Sequence, residues 1–377
     1  MNLSIDGRGI TLYNGSGIGT YTANLLKELI ALDIKNQYTI FWAGDNYDEF
    51  KSSNTNIILT SQKHGIFYEN FYYPNYLENN NIDLHHIPQN GIGLSKDYPV
   101  SCVVTIHDLI PYTMPETCGK GYLTRFLRDM PYIIENSRGI LTVSEYSKKD
   151  ILKFFPCFPE DKIFVTPLAA NSSFYPMEKC ICTKFLKDKY DIEFPFILYI
   201  GGFSSRKNVK ELIISFKNIY STLKNKYKLV LCGSIRDEGE KLKELCKDIG
   251  IEDNVIFTGF VPDEDLPFFY NACSLFVYPS LYEGFGLPPL EAMSCKAPVI
   301  TSNSTSIPEV TKNCALLIDP FNKDELSNSI LKVLNSSSLS EELSEKGYIN
   351  SKNFSWKKTA ELTLRAYEII YNSINNN

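Results

Sequence analysis

Paired metal ligands, a basic excess and long apolar runs are all missing from this sequence. Only four of its 377 residues are histidine, and its ten cysteines show no CxxC spacing. Zinc sites of the common kind need ligands paired at short spacing, so no metal is expected. Cys180 and Cys182 are the only close pair; others sit in apolar runs, as Cys102 does before Val103-Val104 and Cys232 after Leu229-Val230-Leu231. Scattered thiols fit a reducing cytosol better than a disulfide framework. Met1-Asn2-Leu3-Ser4-Ile5-Asp6 has no basic region followed by an apolar run, so no signal peptide is expected. No uninterrupted apolar run reaches spanning length. The net charge of −6 argues against a nucleic-acid partner, which needs a basic face. The expectation is a soluble cytoplasmic protein, with peripheral contact at the inner face of a membrane left open.

What is present is α/β alternation, twice over. Strand-like runs (Leu3-Ser4-Ile5, Tyr38 to Trp42, Asn56 to Leu59, Leu84 to Ile87, Cys102 to Leu109, Gly139 to Ser144, Ile163 to Pro167) alternate with helical periodicity, as in Thr20 to Leu32 and Gly121 to Asn136. From Leu168 to about Asp191 the pattern weakens and reads as a linker. A second set then begins at Pro195 to Ile200 and ends in a long helix from Trp356. The spacing predicts an α/β chain of two doubly wound domains, residues 1–175 with the returning helix 356–377, and residues 176–355. Ligand loops at strand ends in both would face one cleft.

The chemistry concentrates in Ser280 to Met293. The strand-like run Leu275 to Tyr278 leads into a loop, Glu283-Gly284-Phe285-Gly286, and Pro288-Pro289 suits the first turn of a helix. Loop amides and a helix N-terminus favour an anion. Glu291 alone fits a carboxylate complementing the helix dipole. Two carboxylates, Glu283 and Glu291, around an anion site instead suggest phosphate flanked by polyol hydroxyls, as in a nucleotide-sugar. Arg206 and Lys207 follow a strand and the Gly201-Gly202 turn. Cations disfavour helix N-termini, so their position asks for a diphosphate. Asp6 to Gly19 reads as a glycine-rich loop, whose Gly15-Ser16-Gly17-Ile18-Gly19 lacks the GxGxxG spacing of a dinucleotide fingerprint. His107 and Asp108 end a strand-like run, whereas His85 and His86 read as core or edge residues. Asp263-Glu264-Asp265 resembles a metal-holding DxD, but its place at a helix start suits first-turn acids.

With these residues the chain resembles the retaining glycosyltransferases of family 4 (group 1 type, mannosyltransferase-like), which have the GT-B fold. Glu283-x7-Glu291 matches their EX7E pattern in its full Tyr-Pro-Ser-x-x-Glu-Gly-Phe-Gly-Leu-Pro context. Gly259-Phe260-Val261-Pro262 resembles their base-contacting turn, Arg206-Lys207-Asn208 their diphosphate loop, Gly17-Ile18-Gly19 their N-domain glycine loop, and His107 their sugar-contacting histidine. Many relatives have Gly-Arg where this chain has Gly201-Gly202, which shifts the charge to Arg206 and Lys207. The resemblance implies transfer of a hexose, mannose first, from an NDP-sugar to a glycan or lipid-linked acceptor, with GDP-mannose or a UDP-sugar as donor and no cofactor. It implies catalytic roles for Glu283, Arg206, Lys207 and His107. Donor-binding roles fall to Gly17, Gly202, Gly233, Phe260, Val261, Gly284, Phe285, Gly286, Leu287 and Glu291. Phe67 to Tyr76, with Tyr122, Arg125, Phe126 and Arg128, could form an aromatic-basic face for a lipid-linked acceptor, or ordinary core with a solvated face. A nucleotide-sugar epimerase and an inactive partner subunit are the rival readings.

Overall fold

The computed structural model describes residues 1–13, 15–94, 98–223 and 226–375. The chain forms two compact units, Met1–Leu168 with Ser355–Asn377, and Ala169–Phe354.

Unit 1 is built on seven strands: β1 (Asn2–Asp6), β2 (Gln37–Ala43), β3 (Thr55–Thr60), β4 (Leu84–Ile87), β5 (Ser101–Ile106), β6 (Ser137–Thr142) and β7 (Ile163–Val165). They pair in parallel in the order β3-β2-β1-β4-β5-β6-β7. The order reverses between β1 and β4, which marks the switch point where ligands gather at strand ends. The helix Trp356–Asn375 belongs to this unit. Its Tyr367 hydroxyl lies 2.6 Å from His86 Nδ1, and Thr359 Oγ1 donates to the Pro167 carbonyl at 2.6 Å. Gly139 of β6 lets it in: a Cβ there would lie 2.3 Å from Ile370 Cδ1.

Unit 2 has six parallel strands: β8 (Phe196–Ile200), β9 (Lys228–Cys232), β10 (Val255–Gly259), β11 (Leu275–Tyr278), β12 (Val299–Ser302) and β13 (Leu316–Ile318). Their order is β10-β9-β8-β11-β12-β13, with the switch point between β8 and β11. Every residue of β8, β11 and β12 is buried, as expected for parallel strands covered on both faces.

Two expectations need revision. The supposed linker contains a helix, Lys179–Tyr190, that is part of unit 2. Its lysines mask a short apolar face: Cys182 and Leu186 are buried, and Phe185 stacks on Phe268 with ring centres 3.9 Å apart. Phe174 likewise packs into the unit 2 core, against Tyr270, so the division falls after Leu168 rather than after residue 175. The glycine-rich stretch near the N-terminus is not one loop. It holds a short helix, Gly9–Leu12, and Gly17 opens the helix Gly17–Leu32, where the Ser16 hydroxyl accepts from the Gly19 amide at 3.4 Å.

Candidate active site

The residues after β8 and β11 meet at the unit 2 switch point. Arg206 and Lys207 lie on a short turn, Ser205–Lys207, beyond β8; Glu283 lies beyond β11. Glu283 Oε1 accepts from Arg206 Nη1 at 2.9 Å, Lys207 Nζ at 2.7 Å, Ser280 Oγ at 2.5 Å and the Tyr278 hydroxyl at 3.0 Å. Lys207 Nζ also donates to the Tyr278 hydroxyl at 2.5 Å, and Arg206 Nη1 to the Tyr282 carbonyl at 2.5 Å. Burial pushes the Glu283 carboxyl up, but Lys207 and Arg206 outweigh it and hold the group down at about 2. The three side chains thus form a cluster in which two cationic side chains face one ionised carboxylate.

The loop carrying Glu283 is pinned from several sides. The Leu281 amide donates to the Arg206 carbonyl at 2.8 Å, and the Glu283 amide donates to Thr305 Oγ1 at 3.0 Å. Ser306 Oγ donates to the carbonyls of Glu283 and Phe285 at 2.9 and 2.8 Å. Gly286 then turns the chain with φ of +110°, a conformation that glycine adopts without a Cβ clash. A Cβ at this position would also lie 2.6 Å from Ile307 Cδ1. The helix Leu287–Ser294 starts immediately after, with proline in its first turn. Gly284, Phe285 and Gly286 are buried and Leu287 is half-buried.

Glu291, one turn into that helix, is buried and accepts from the Tyr270 hydroxyl at 2.9 Å. Burial pushes its carboxyl up to about 7; the Tyr270 bond opposes the rise and the charge of Asp263 adds to it. The two carboxylates of the motif therefore have opposite electrostatics. Asp263-Glu264-Asp265 precedes the helix Leu266–Ala272 instead of forming its first turn. Asp265 Oδ2 accepts from Lys189 Nζ and the Tyr190 hydroxyl, both at 2.5 Å, so this acid ties the Lys179–Tyr190 helix into unit 2. Among the described residues no group of three or more His, Cys, Asp or Glu is placed to hold a metal ion. Phe260, beyond β10, is exposed at 64% although its neighbour Val261 is buried. The Gly202 carbonyl accepts from the Tyr199 hydroxyl at 2.6 Å. Gly233 sits so close to the β8 loop that a Cβ would fall 2.1 Å from the Gly201 carbonyl oxygen.

Gly17 and His107 belong to unit 1. The His107 ring lies edge-on to Tyr21, one turn along the helix from Gly17, with ring centres 4.8 Å apart. Its Nε2–H donates to the Pro88 carbonyl at 2.9 Å, which leaves Nδ1 as the acceptor nitrogen. Burial pushes the ring down to about 4, so it is neutral at physiological pH. His85 and His86 are buried core residues. The supposed aromatic-basic face divides. Phe67 and Phe71 are exposed, but Tyr73 and Phe126 are core, and Arg125 and Arg128 pair with acids: Arg125 Nε lies 3.5 Å and Arg128 Nε 2.6 Å from Asp129. The face is not basic.

Tyr270, Thr305 and Ser306 carry no signal in the sequence. Each acts on a site residue from a distant position in the chain, and isolated hydroxyl residues give no local signal. Tyr278 and Ser280 stood inside the motif stretch, but nothing in their spacing showed that both aim at Glu283.

A model for glycosyl transferases group 1 matches residues 184–350, and one for glycosyltransferase family 4 matches residues 15–173. O-antigen chain mannosyltransferase B of Escherichia coli is 37% identical over 269 residues, which cover 71% of this chain and 70% of that protein. The serotype-specific mannosyltransferase WbdA of Escherichia coli is 32% identical over 275 residues, 72% of this chain but 34% of that longer protein. Among solved structures, sucrose-phosphate synthase from Thermosynechococcus elongatus superposes with a TM-score of 0.75 at 19% identity, covering 99% of this chain and 100% of that one. Anabaena HepE in complex with UDP and glucose gives 0.76 at 16% identity, covering 97% and 98%. At such identities the likeness shows the fold, which is GT-B.

Proposed function

The chain belongs to the family 4, group 1 glycosyltransferases, and on that premise we propose that it moves mannose from GDP-mannose to a hydroxyl of a growing surface polysaccharide, with retention. The observation that carries the reading is the convergence of Arg206, Lys207 and Glu283 at the ends of β8 and β11. Two cations beside the N-terminus of the helix Leu287–Ser294 suit a departing diphosphate, whose growing charge they stabilise. Glu283 fixes both cations through Oε1; its other oxygen, Oε2, takes no part in those bonds and would accept from hydroxyls of the transferred sugar. Glu291 would hold the ribose hydroxyls, and Phe260 and Val261 the base. Mannose is favoured because the named relatives above are mannosyltransferases.

A thermal-shift panel of nucleotide-sugars tests the donor. A ligand at a hundred times its dissociation constant adds about 2.7 kcal/mol of stability. GDP-mannose should raise the melting temperature, and UDP-glucose should not. A shift with UDP-sugars alone would replace the donor.

A further inference from the structure

Unit 2 carries a cavity of about 570 Å³ at the amino ends of β8 and β11, within the range of small-molecule sites, about 300–1,000 Å³. The helix Lys179–Tyr190 forms one wall. Ile192 to Phe196, which leads into β8, and Ala272 and Ser274, just before β11, form the other. The Ser274 amide donates to the Phe196 carbonyl at 2.9 Å and joins the two strands there. Arg206, Lys207 and Glu283 lie beyond the opposite ends of the same strands. The five residues of β8 alone separate the two places by about 13 Å, at roughly 3.3 Å per residue. Ligands of open α/β sheets gather at the carboxyl ends, so the donor site does not account for this cavity.

It combines an apolar floor with a cationic rim. Leu186, Ile192, Phe196 and Ala272 line it and are buried. Around them stand Lys179, Lys184 and Lys187 against a single lining acid, Glu193. Glu193 pairs with Lys187 at 2.7 Å; Lys179 and Lys184 have no acid partner among the described residues. Lys228 adds a fourth cation beside the cavity: its ammonium lies 4.9 Å from the centre of the Phe194 ring and donates to the Asp253 carbonyl, a neutral group. This excess sits in a chain of net charge −6. Lys179 is also the first residue of its helix, where the dipole disfavours a cation. An anion in the cavity would offset both effects.

We propose that this cavity binds an organic anion with an apolar body, a phosphate or carboxylate carried on a hydrocarbon chain. The chain covers the four buried side chains of the floor and removes apolar surface from water. The head group meets Lys179 and Lys184 as a charge-assisted hydrogen-bond acceptor. A neutral sugar would leave both lysines uncompensated, and bare phosphate would leave the floor wet. The site lies apart from sugar transfer and does not depend on it.

The test titrates octyl phosphate, inorganic phosphate, octanol and GDP separately into the full chain by calorimetry. Wild type should bind octyl phosphate about tenfold or more tightly than either inorganic phosphate or octanol, and added salt should weaken it. The double variant Lys179→Gln/Lys184→Gln should weaken octyl phosphate by about tenfold or more, the size of one lost charged hydrogen bond, and leave GDP within about twofold. Thr183→Trp, which fills the cavity from its rim, should weaken octyl phosphate as well. All three positions are exposed, so both variants should keep the wild-type melting temperature. The proposal is overturned if wild type does not bind octyl phosphate, if inorganic phosphate or octanol binds equally well, or if both variants bind like wild type. Failure of GDP to bind wild type would count against the donor reading alone. Sedimentation with phosphatidylglycerol vesicles separates the two sources of such an anion. Sedimentation that depends on the two lysines makes the source a lipid headgroup; sedimentation that does not, or none, makes it a free amphiphile.

Discussion

Glu283 and Glu291 are both buried, and burial raises a carboxyl; only Glu283 has cations beside it to reverse the effect. This difference gives each a separate test. Glu291 has its carboxyl near 7, so a ribose site that needs the carboxylate should gain affinity as pH rises through about 7. Calorimetric GDP titrations from pH 5.5 to 8.5 should show that rise, and Glu291→Gln should abolish it; an unchanged slope in the variant would remove Glu291 from the nucleotide site. At the other acid, Lys207→Ala should lower turnover by about 10²–10³-fold, as loss of one charge-stabilising donor does. It should also cost stability, because Glu283 then keeps a single cation in a buried place. Pairing it with Glu283→Gln should recover part of the stability and none of the turnover, read by melting temperature and initial rates. The EX7E spacing pointed to both acids. Their opposed electrostatics were not legible, because Arg206, Lys207 and Tyr270 approach from other parts of the chain.

At the scale of elements, the strand-loop-helix unit from Leu275 to Ser294 was readable because its punctuation is local: an apolar run, glycines, then two prolines. The helix Lys179–Tyr190 was not, because few apolar residues mark its buried face and lysines surround them. The helix opens at Gly17, three residues before the Thr20 at which its periodicity becomes readable, because glycine disfavours helix interiors although a first turn tolerates it. The turn at Gly286 carries its own prediction. Gly286→Ala should destabilise unit 2 by about 1–3 kcal/mol through backbone strain, with a further penalty against Ile307. Adding Ile307→Val should relieve only the steric part, leaving the denaturation midpoint below wild type. Wild-type stability in Gly286→Ala would mean that the left-handed turn is not needed.

Over the whole molecule, the two doubly wound sheets followed from α/β alternation, while the break between them moved because Phe174 packs with unit 2. Acid should affect the units differently. In unit 1, burial pushes His85, His86 and His107 down to about 4, 3 and 4. The unfolded chain therefore binds more protons between about pH 6.5 and 4, and unit 1 loses stability as pH falls through that window. In unit 2, the lowered Glu283 loses its contribution only from about pH 4.5 down to 2, and the raised Glu291 favours the folded state as pH falls from 7. Calorimetry at pH 7 and pH 5 should show the unit 1 transition moving down more than that of unit 2; equal shifts would contradict this. The central claim, transfer of a sugar at the Arg206–Lys207–Glu283 cluster, is tested most directly by following GDP-mannose and α-mannobiose with the purified chain by NMR. The account predicts release of GDP with formation of a new α-mannoside by wild type, and loss of both in Lys207→Ala. Transfer at the wild-type rate by Lys207→Ala would contradict it.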